Sequence, residues 1–379
     1  MKDSKRKILV ISHDATQTGA PLLLLHLLSL LKGNGVSLNI LVRNKSGQMA
    51  DAFKALSQTF GFMPRIFNHT LKSRIKCFLF GKYEPFDVHT YTKDVDVILN
   101  NTITNGAVLS FLKKSYKGKI ITYIHELEFV AVNNRSSVET ITHTDHFLVP
   151  CEVVKKLLTN TYGVPANKIS LLHYYLPNTT FSEKTNAEFT KRYSISTPFV
   201  IGMAGSLNWR KGYDLFLQVA RIFYNNWPLA NAQFVWVGAD EANIETKEIA
   251  FDIEKMNLND KVKVLPVLND MSGFYDCINI LLLTSREDTY PMVMLEAAAH
   301  QRATVCFENA GGANEFIEGG NGIAIKYGEI EEMASVLYDL MNHPHKATEM
   351  GKSAKRKVET HHTNGQLILD QLYGVLENL

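Results

Sequence analysis

Short, almost continuous runs of Val, Ile and Leu recur along the chain, and they alternate with stretches in which apolar residues return every three or four positions. The runs are typical of strands buried on both faces of a sheet, and the spacing between them is typical of amphipathic helices. The alternation predicts right-handed β–α–β units and parallel sheets. The predicted strands are Lys7–Ser12, Ser37–Val42, Val95–Asn100, Ile120–Ile124, His146–Pro150, Ile169–His173, Phe199–Ala204, Gln233–Val237, Lys261–Pro266, Ile278–Thr284 and Thr304–Phe307. The predicted helices include Pro21–Leu31, Val153–Asn160, Tyr213–Asn225, Asn243–Met256 and Met292–His300.

The alternation lapses once, over the polar and turn-rich stretch Tyr174–Pro198, and it restarts with a new apolar run at Phe199. A chain of 379 residues suits two domains, each large enough to bury a core. We therefore predict two doubly wound α/β domains, over 1–176 and 177–363. Ligands of such sheets bind beyond the carboxyl ends of the strands, so we expect the site in a cleft between the two domains.

The composition excludes several other classes of protein. The four cysteines (Cys77, Cys151, Cys277 and Cys306) form no CxxC pair, which argues against a zinc ribbon and a redox motif. No segment approaches the ~20 apolar residues of a membrane helix. The first apolar run, Ile8–Ile11, is too short for a secretory signal. We expect a reduced, cytoplasmic protein.

Charge is distributed unevenly along the chain. Residues 1–176 hold 22 Lys and Arg against 12 Asp and Glu (net +10), whereas 177–379 hold 18 against 26 (net −8). No basic run with interleaved aromatic residues matches a nucleic-acid reader, so an anionic membrane surface or an acidic acceptor is the preferred partner of the basic half. The segment Arg65–Lys82 mixes cations with Phe, Ile and Leu, as interfacial helices do, although an ordinary half-buried helix fits equally well.

The most informative stretch is Thr284–Gly322, in which a buried strand runs into a polar loop and Pro291 opens a helix. The N-terminus of a helix presents unpaired N–H groups that accommodate a phosphate. Asp288 lies in the loop, and Glu296 lies about two turns into the helix. Two carboxylates suit a ligand with many hydroxyls, although a helix cap and a solvated acid would explain the pair by itself.

A second stretch, Ile201–Ala220, repeats the order of strand, small-residue turn and helix, with Arg210 and Lys211 in the loop. Two cations beside a helix N-terminus can hold a diphosphate and stabilise charge that develops on it; two exposed surface cations are the alternative. Gly202 and Gly205 give only GxxG, so the dinucleotide fingerprint is not supported.

Two further motifs lie in the first half. Gly19 belongs to a small-residue turn that opens a helix and would allow a ligand to approach the backbone, and His125 follows a predicted strand, where it could position a substrate or be structural. The segment that contains His125 reads HELEF, which lacks the second histidine of HExxH. Asp94 and Asp96 spell DxD, a metal-binding motif of some glycosyltransferases, but we interpret them as residues that flank a strand.

Taken in their order, these stretches resemble glycosyltransferase family 4. The resemblance covers essentially the whole chain. The family's hallmark is an acid, seven residues, a second acid in an Ala-rich helix, and then Gly-Gly-x-x-Glu, which here correspond to Asp288, Glu296, Ala297–Ala299 and Gly311–Glu315. The resemblance implies the GT-B architecture, two Rossmann-like domains that face each other across a cleft. It is greatest to a bacterial subgroup that builds surface polysaccharides.

The resemblance also implies a role for each matched residue. Lys211 corresponds to the lysine that contacts the donor diphosphate, and Glu296 to the acid that holds the donor ribose. Asp288 corresponds to the acid that faces the hydroxyls of the transferred sugar, shortened from Glu. Gly19 would meet the diphosphate, and His125 would lie near the donor sugar.

Around these positions, the backbone at Tyr290, Pro291 and Met292 would approach the phosphates and the sugar. The chain departs from the family at Ser206, where an arginine usually stands, and Arg210 is the candidate to replace that guanidinium.

The resemblance implies a retaining hexosyltransferase without a cofactor or a metal, whose donor is a nucleotide diphosphate sugar and whose acceptor is a saccharide or a lipid-linked hydroxyl. The donor would bind the domain 177–363 and the acceptor the domain 1–176, with the last helix, 364–379, packing back on the latter. Two alternatives stay open: a sugar-nucleotide epimerase of the same fold, and a non-catalytic partner that binds a nucleotide sugar or a glycan.

Overall fold

The computed structural model describes residues 6–44, 47–63, 87–177 and 183–379. Internal contacts divide the chain into two compact units: unit 1 is Met1–Leu176 with Asn364–Leu379, and unit 2 is Pro177–Thr363. Each unit is built on one sheet in which every pair of neighbouring strands is parallel. This is the α/β class that the alternating pattern predicts.

Unit 1 contains a seven-stranded sheet in the order β3-β2-β1-β4-β5-β6-β7. Its strands are β1 (Lys7–Ser12), β2 (Ser37–Val42), β3 (Thr59–Phe62), β4 (Val97–Asn100), β5 (Lys119–Tyr123), β6 (His146–Val149) and β7 (Ile169–Leu171). Its helices are α1 (Gly19–Gly33), α2 (Ala50–Leu56), α3 (Val88–Thr92), α4 (Gly106–Leu112), α5 (Glu128–Asn133), α6 (Ser137–His143) and α7 (Glu152–Tyr162). The central strand β1 is buried from Ile8 onward, as expected of a strand whose two faces are both covered by helices.

Unit 2 contains a six-stranded sheet in the order β10-β9-β8-β11-β12-β13. Its strands are β8 (Phe199–Ala204), β9 (Ala232–Ala239), β10 (Val262–Pro266), β11 (Ile280–Leu283), β12 (Ala303–Phe307) and β13 (Gly322–Ile325). Its helices are α8 (Glu183–Arg192), α9 (Tyr213–Asn226), α10 (Ile244–Lys255), α11 (Ser272–Cys277), α12 (Met292–Ala299), α13 (Ala313–Ile317), α14 (Ile330–Asn342) and α15 (Pro344–His361). In both sheets the first strand of the unit lies inside the sheet, so the loops that follow it meet the loops of its neighbours at one edge.

The last helix, α16 (Gly365–Glu377), belongs to unit 1 although it follows unit 2 in the chain. The side-chain amide of Gln371 donates to His173 Nδ1 at 2.6 Å, and its Oε1 accepts from the His173 N–H at 3.1 Å. Its apolar face buries Ile368, Leu369 and Leu372. The helix is therefore tied to the end of the unit 1 sheet by both apolar packing and hydrogen bonds.

The predicted strands and helices that lie within the described residues all form, with ends that move by at most two residues. Two strands were missed, β3 and β13. Both lie at a sheet edge, pair on one side only, and are mostly half-buried, so they lack the continuous apolar run of an interior strand. One helix, α8, forms inside the stretch that was expected to be turn-rich. Its sequence is mostly polar, and its Phe189 packs against Phe274 of α11.

Candidate active site

Two loops meet at the carboxyl edge of the unit 2 sheet. The lysine loop (205–212) follows β8 and the acid loop (284–291) follows β11, and β8 and β11 are neighbours in the sheet. The backbone N–H of Arg286 donates to the carbonyl of Arg210 at 2.7 Å, and the Thr284 hydroxyl donates to the carbonyl of Gly212 at 2.9 Å. Two motifs far apart in sequence therefore form one surface.

Lys211 and Asp288 form an ion pair on this surface, through Nζ and Oδ2. Each side chain is 16% exposed, so the pair is shielded from solvent but not sealed. The backbone N–H of Lys211 is also held, because it donates to the Asn208 side-chain oxygen at 3.0 Å. The structure thus brings together two of the residues that the sequence analysis assigns to the donor diphosphate and sugar.

The glycine pair of the family hallmark fixes the acid loop. Asp288 forms a β-bridge with Gly311, and its N–H donates to the carbonyl of Ala310 at 2.7 Å. Gly311 has φ 137°, and a Cβ placed there would lie 1.7 Å from the Asp288 carbonyl oxygen. Only glycine accommodates both this backbone angle and this approach. The spacing of the hallmark thus reflects a turn that positions the acid.

Glu296, the second acid, lies on α12 and is half-buried. Its Oε2 accepts a hydrogen bond from the hydroxyl of Tyr275 on α11. Burial raises the pKa of the Glu296 carboxyl to about 7, although the hydrogen bond from Tyr275 acts in the opposite direction. The sequence analysis missed Tyr275, because a tyrosine in a short buried helix carries no signal for a site.

Arg286 joins the two loops and was also missed. Its guanidinium donates two hydrogen bonds to the Asp214 carboxylate, at 2.8 and 2.6 Å, and one to the Trp209 carbonyl at 2.8 Å. The hydrogen bonds from Arg286 hold the pKa of Asp214 below its usual value against the opposing effect of burial, and Asp214 in turn raises the pKa of Arg286. A bidentate pair of this kind fixes geometry as well as charge. The signal available was an Arg in the acid loop and an Asp in the first turn of α9.

The remaining predicted residues of unit 2 lie on the same two loops. Ser206 is exposed, and its hydroxyl accepts from the Asn208 amide at 2.9 Å. The Arg210 side chain is half-buried and forms no hydrogen bond or ion pair with any residue that the structure describes. That Arg210 replaces the family's arginine stays a prediction.

Tyr290, Pro291 and Met292 carry the chain from the acid loop into α12. The ring of Tyr290 is buried beside His362, with ring centroids 5.7 Å apart. Pro291 is the N-cap residue of α12 and Met292 is its first helical residue. The tyrosine ring is therefore turned inward, and the approach of this backbone to phosphates and sugar stays a prediction.

In unit 1, His125 follows β5 and is buried. Its Nε2 lies 2.8 Å from the Asn101 side-chain oxygen and its Nδ1 lies 3.0 Å from the hydroxyl of Tyr174. Burial lowers the pKa of His125 to about 3. A neutral ring that donates from Nε2 and accepts at Nδ1 satisfies both contacts, which agrees with the lowered pKa.

Glu126, next to His125, was missed except as part of the HELEF segment. Its carboxylate accepts hydrogen bonds from the Thr102 hydroxyl and from the backbone N–H groups of Ile103 and His125, the latter two at 3.1 and 3.0 Å. Burial raises the pKa of Glu126. The residue ties the ends of β4 and β5 together and fixes the backbone that carries His125.

Gly19 is the first residue of α1, at the same carboxyl edge of the unit 1 sheet. A Cβ added there would meet no atom within 4 Å among the described residues. The fold of unit 1 therefore does not require glycine at this position. Its predicted role toward a diphosphate is compatible with that open space, and it stays a prediction.

Asp94 and Asp96 precede β4 and so lie at the opposite, amino edge of the sheet. Asp96 Oδ2 accepts from the N–H of Lys7 at 2.7 Å, where β1 begins. No group of three or more His, Cys, Asp or Glu suited to a metal ion occurs among the described residues.

Membrane association is a separate question. No helix in the described ranges has the length and apolarity to cross a bilayer. The segment Arg65–Lys82, predicted to be interfacial or half-buried, lies outside the described residues.

Two family models match the chain. Residues 4–143 match glycosyl-transferase family 4, and residues 198–343 match glycosyl transferases group 1. A Haemophilus influenzae protein named as an uncharacterized glycosyltransferase is 27% identical over 250 residues. The match covers 66% of this chain, and the chain spans 63% of that protein's length.

Solved structures show the same fold over nearly the whole chain. Anabaena Alr3699/HepE in complex with UDP and glucose superposes with a TM-score of 0.82 and 17% identity, covering 99% of this chain and 100% of that one. Staphylococcus aureus TarM, in a complex that includes UDP, has a TM-score of 0.72 and 14% identity, covering 98% and 99%. The two parallel sheets and this similarity define a GT-B glycosyltransferase fold. The chain is a glycosyltransferase with a family 4 domain over residues 4–143 and a group 1 domain over residues 198–343.

Proposed function

We propose that the protein transfers a sugar from a nucleotide diphosphate sugar to an acceptor hydroxyl, with retention at the anomeric carbon. The observation that carries the proposal is the ion pair between Lys211 and Asp288 at the joined ends of β8 and β11, with Glu296 on the helix that follows. A diphosphate competes for the ammonium group of Lys211, since phosphate oxygens are strong acceptors for a cation. Asp288, released from the pair, is then free to accept hydrogen bonds from sugar hydroxyls.

Breaking the sugar–phosphate bond leaves negative charge on the departing phosphate. In this proposal Lys211 and Arg210, together with the N–H groups at the start of α12, stabilise that charge as it forms, which lowers the barrier rather than only tightening binding. The departing phosphate takes the proton of the acceptor hydroxyl, and attack on the same face gives retention. The proposal includes no metal ion and no other cofactor.

Glu296 receives the donor ribose in this proposal, and the backbone at Pro291 and Met292 approaches the phosphates. The structures of HepE with UDP-glucose and of TarM with UDP support a uridine nucleotide as the donor class. Gly19 and His125 of unit 1 keep their predicted roles toward the diphosphate and the donor sugar.

For the acceptor we propose a saccharide or a lipid-linked hydroxyl bound by unit 1, in the synthesis of a surface polysaccharide. The excess of cations in residues 1–176 supports a protein that works at the cytoplasmic face of a membrane and binds anionic lipid peripherally. The same excess suits an acceptor that carries phosphate.

The test of the proposal is Lys211→Ala, with release of UDP from a panel of UDP-sugars in a membrane extract as the measurement. We expect at least a tenfold loss of turnover, because the cation acts on charge that exists only as the bond breaks. Lys247→Ala, an exposed lysine of α10, is the matched control and should behave as wild type. Near-normal turnover by Lys211→Ala would contradict the proposed role of this lysine.

Ser206, in place of the family's arginine, favours a second candidate, a protein that binds a nucleotide sugar without transferring it. The same panel separates the two. A wild-type protein that binds a donor in calorimetry but releases no UDP with any extract supports the binding role, and conversion of the donor alone to its epimer supports the epimerase.

A further inference from the structure

The carboxylate of Glu296 has one oxygen engaged inside the protein. The Tyr275 hydroxyl donates to Oε2, and no other hydrogen bond to this carboxylate occurs among the residues that the structure describes. Oε1 and the remaining acceptor capacity of Oε2 are therefore left for a ligand. The orientation of those acceptors depends on where Tyr275 holds the group.

Tyr275 is itself fixed in place. Its side chain is 2% exposed. The Arg302 guanidinium donates to the carbonyl of Tyr275 and to that of Asp276, both at 2.8 Å. Tyr275 therefore presents its hydroxyl from a short helix whose backbone is anchored at its carboxyl end.

The helix of Glu296 is joined to the helix of Tyr275 at a second point. His300, one turn after Glu296, lies with its Nδ1 2.5 Å from the carboxylate of Asp276, and both side chains are buried. Two adjacent residues of α11 thus hold Glu296 of α12 and His300, the residue that caps the end of α12. The contact between His300 and Asp276 holds the two helices together, and the contact from Tyr275 holds the Glu296 side chain in its observed direction.

We propose that Tyr275 is a positioning residue that sets the direction of the Glu296 carboxylate toward the two ribose hydroxyls of the donor. This inference rests on the proposed function, in which Glu296 holds the ribose. Tyr275 does not touch the donor; it acts through Glu296. Because burial raises the pKa of the Tyr275 phenol well above its ordinary value, the hydroxyl keeps its proton and stays a donor over the whole working range of pH.

A hydroxyl-dependent binding assay tests the proposal. UDP, GDP and ADP are each compared with their 2′,3′-dideoxy counterparts by calorimetry on the full chain, and the pair that the wild type binds most tightly is used for the variants. Tyr275→Phe should weaken binding of the ribonucleotide about tenfold and leave the dideoxynucleotide unchanged, because the lost hydrogen bond matters only to a ligand that reaches Glu296.

The matched control is Tyr224→Phe, which removes the hydroxyl of another buried tyrosine of unit 2, one that donates to the carbonyl of Ala232 at 2.7 Å. It should bind both nucleotides as the wild type does. The double variant Tyr275→Phe with Glu296→Gln should bind no more weakly than Glu296→Gln alone, since the two residues act in series.

Equal weakening toward the ribonucleotide and the dideoxynucleotide would overturn the positioning role and indicate general damage to the unit. Wild-type affinity of Tyr275→Phe for both would overturn it as well. A wild type that binds none of the three diphosphates, or binds each as tightly as its dideoxy counterpart, would instead refute the proposed function at Glu296, and the inference with it.

Discussion

At the scale of single residues, the ionisation of Glu296 decides how well the site can receive hydroxyl donors. Burial raises the pKa of this carboxyl to about 7 from an ordinary value of 4.5, so near neutral pH the free protein holds both forms. The ionised form accepts two hydroxyls and the protonated form does not. The neighbouring titratable groups are Tyr275, which donates to it, and His300, which is paired with Asp276.

We therefore expect donor affinity to fall as the pH is lowered below about 7, approaching tenfold for each unit, and to level off above it. Calorimetry with the nucleoside diphosphate across pH 5.5–8.5 measures this. Glu296→Gln is the control, because it keeps only the titration of the ligand's own phosphate. The free energy of unfolding should fall over the same pH range in which donor affinity rises. The reason is that the folded protein retains a proton on Glu296 that the unfolded chain releases near pH 4.5. Relative to Glu296→Gln, the wild type therefore loses stability as the pH rises toward 7. Parallel binding curves for the two proteins would contradict the assignment.

Residue types and spacing were enough to predict that Lys211 and Asp288 lie together, because their motifs stand at the ends of strands that a parallel sheet must bring to one edge. The partners of these residues were not accessible in the same way. Tyr275 reaches Glu296 from the helix that precedes β11 in the chain, and such a contact depends on how two helices pack rather than on any local pattern. Arg286 lies within the stretch Thr284–Gly322 that the sequence singled out. Its ion pair with Asp214 forms only because the acid loop and the lysine loop lie side by side in the fold.

At the scale of secondary-structure elements, every interior strand was predicted, whereas two of the four edge strands, β3 and β13, were not. β8 is buried at every residue and forms with the predicted ends, whereas β13 is half-buried over three of its four residues and contains a glycine. A strand that pairs on one side only can form without a continuous apolar run, and where the run is absent, as in β3 and β13, the sequence does not distinguish the strand from a loop. Helix α8 was missed for a related reason: its one phenylalanine, Phe189, does not produce the repeated apolar spacing by which an amphipathic helix is predicted.

A substitution at Gly311 tests how the turn there positions Asp288 in the acid loop. Gly311→Ala places a methyl group against the Asp288 carbonyl at a positive φ, so we expect a loss of about 2–4 kcal/mol in the free energy of unfolding, together with reduced turnover. Gly328→Ala is the matched control, because Gly328 also has a positive φ, 88°, but a Cβ there meets no described atom within 4 Å. It should lose only about 1 kcal/mol. Chemical denaturation of both variants measures the difference, and equal losses would show that backbone strain, rather than the contact with the acid loop, is what matters at Gly311.

At the scale of the whole molecule, the chain forms two units that interleave in sequence. The alternation of strands and helices lapses near residue 177, where unit 2 begins, and the last helix belongs to unit 1 again. The chain leaves unit 1 at Leu176 and re-enters it at Asn364. In the proposed function, the motifs assigned to the donor lie on loops that follow β8 and β11, whereas nothing in the sequence marks the residues that would bind an acceptor.

The return of α16 gives a prediction that separates the two units. Ending the chain at Thr363 removes the buried residues Ile368, Leu369, Leu372 and Val375 from unit 1, an upper estimate of about 6–10 kcal/mol of burial. Unit 1 should then unfold at a lower denaturant concentration than unit 2. All three tryptophans, Trp209, Trp227 and Trp236, lie in unit 2, so tryptophan fluorescence reports that unit while circular dichroism reports both. In the truncated chain we expect an early transition in circular dichroism that fluorescence does not follow.

A chain ended at Glu377, which keeps the helix, is the control and should show the wild-type curves. If the fluorescence transition moves together with the dichroism, unit 2 depends on α16 for its stability, and the assignment of the helix to unit 1 alone is wrong in energetic terms.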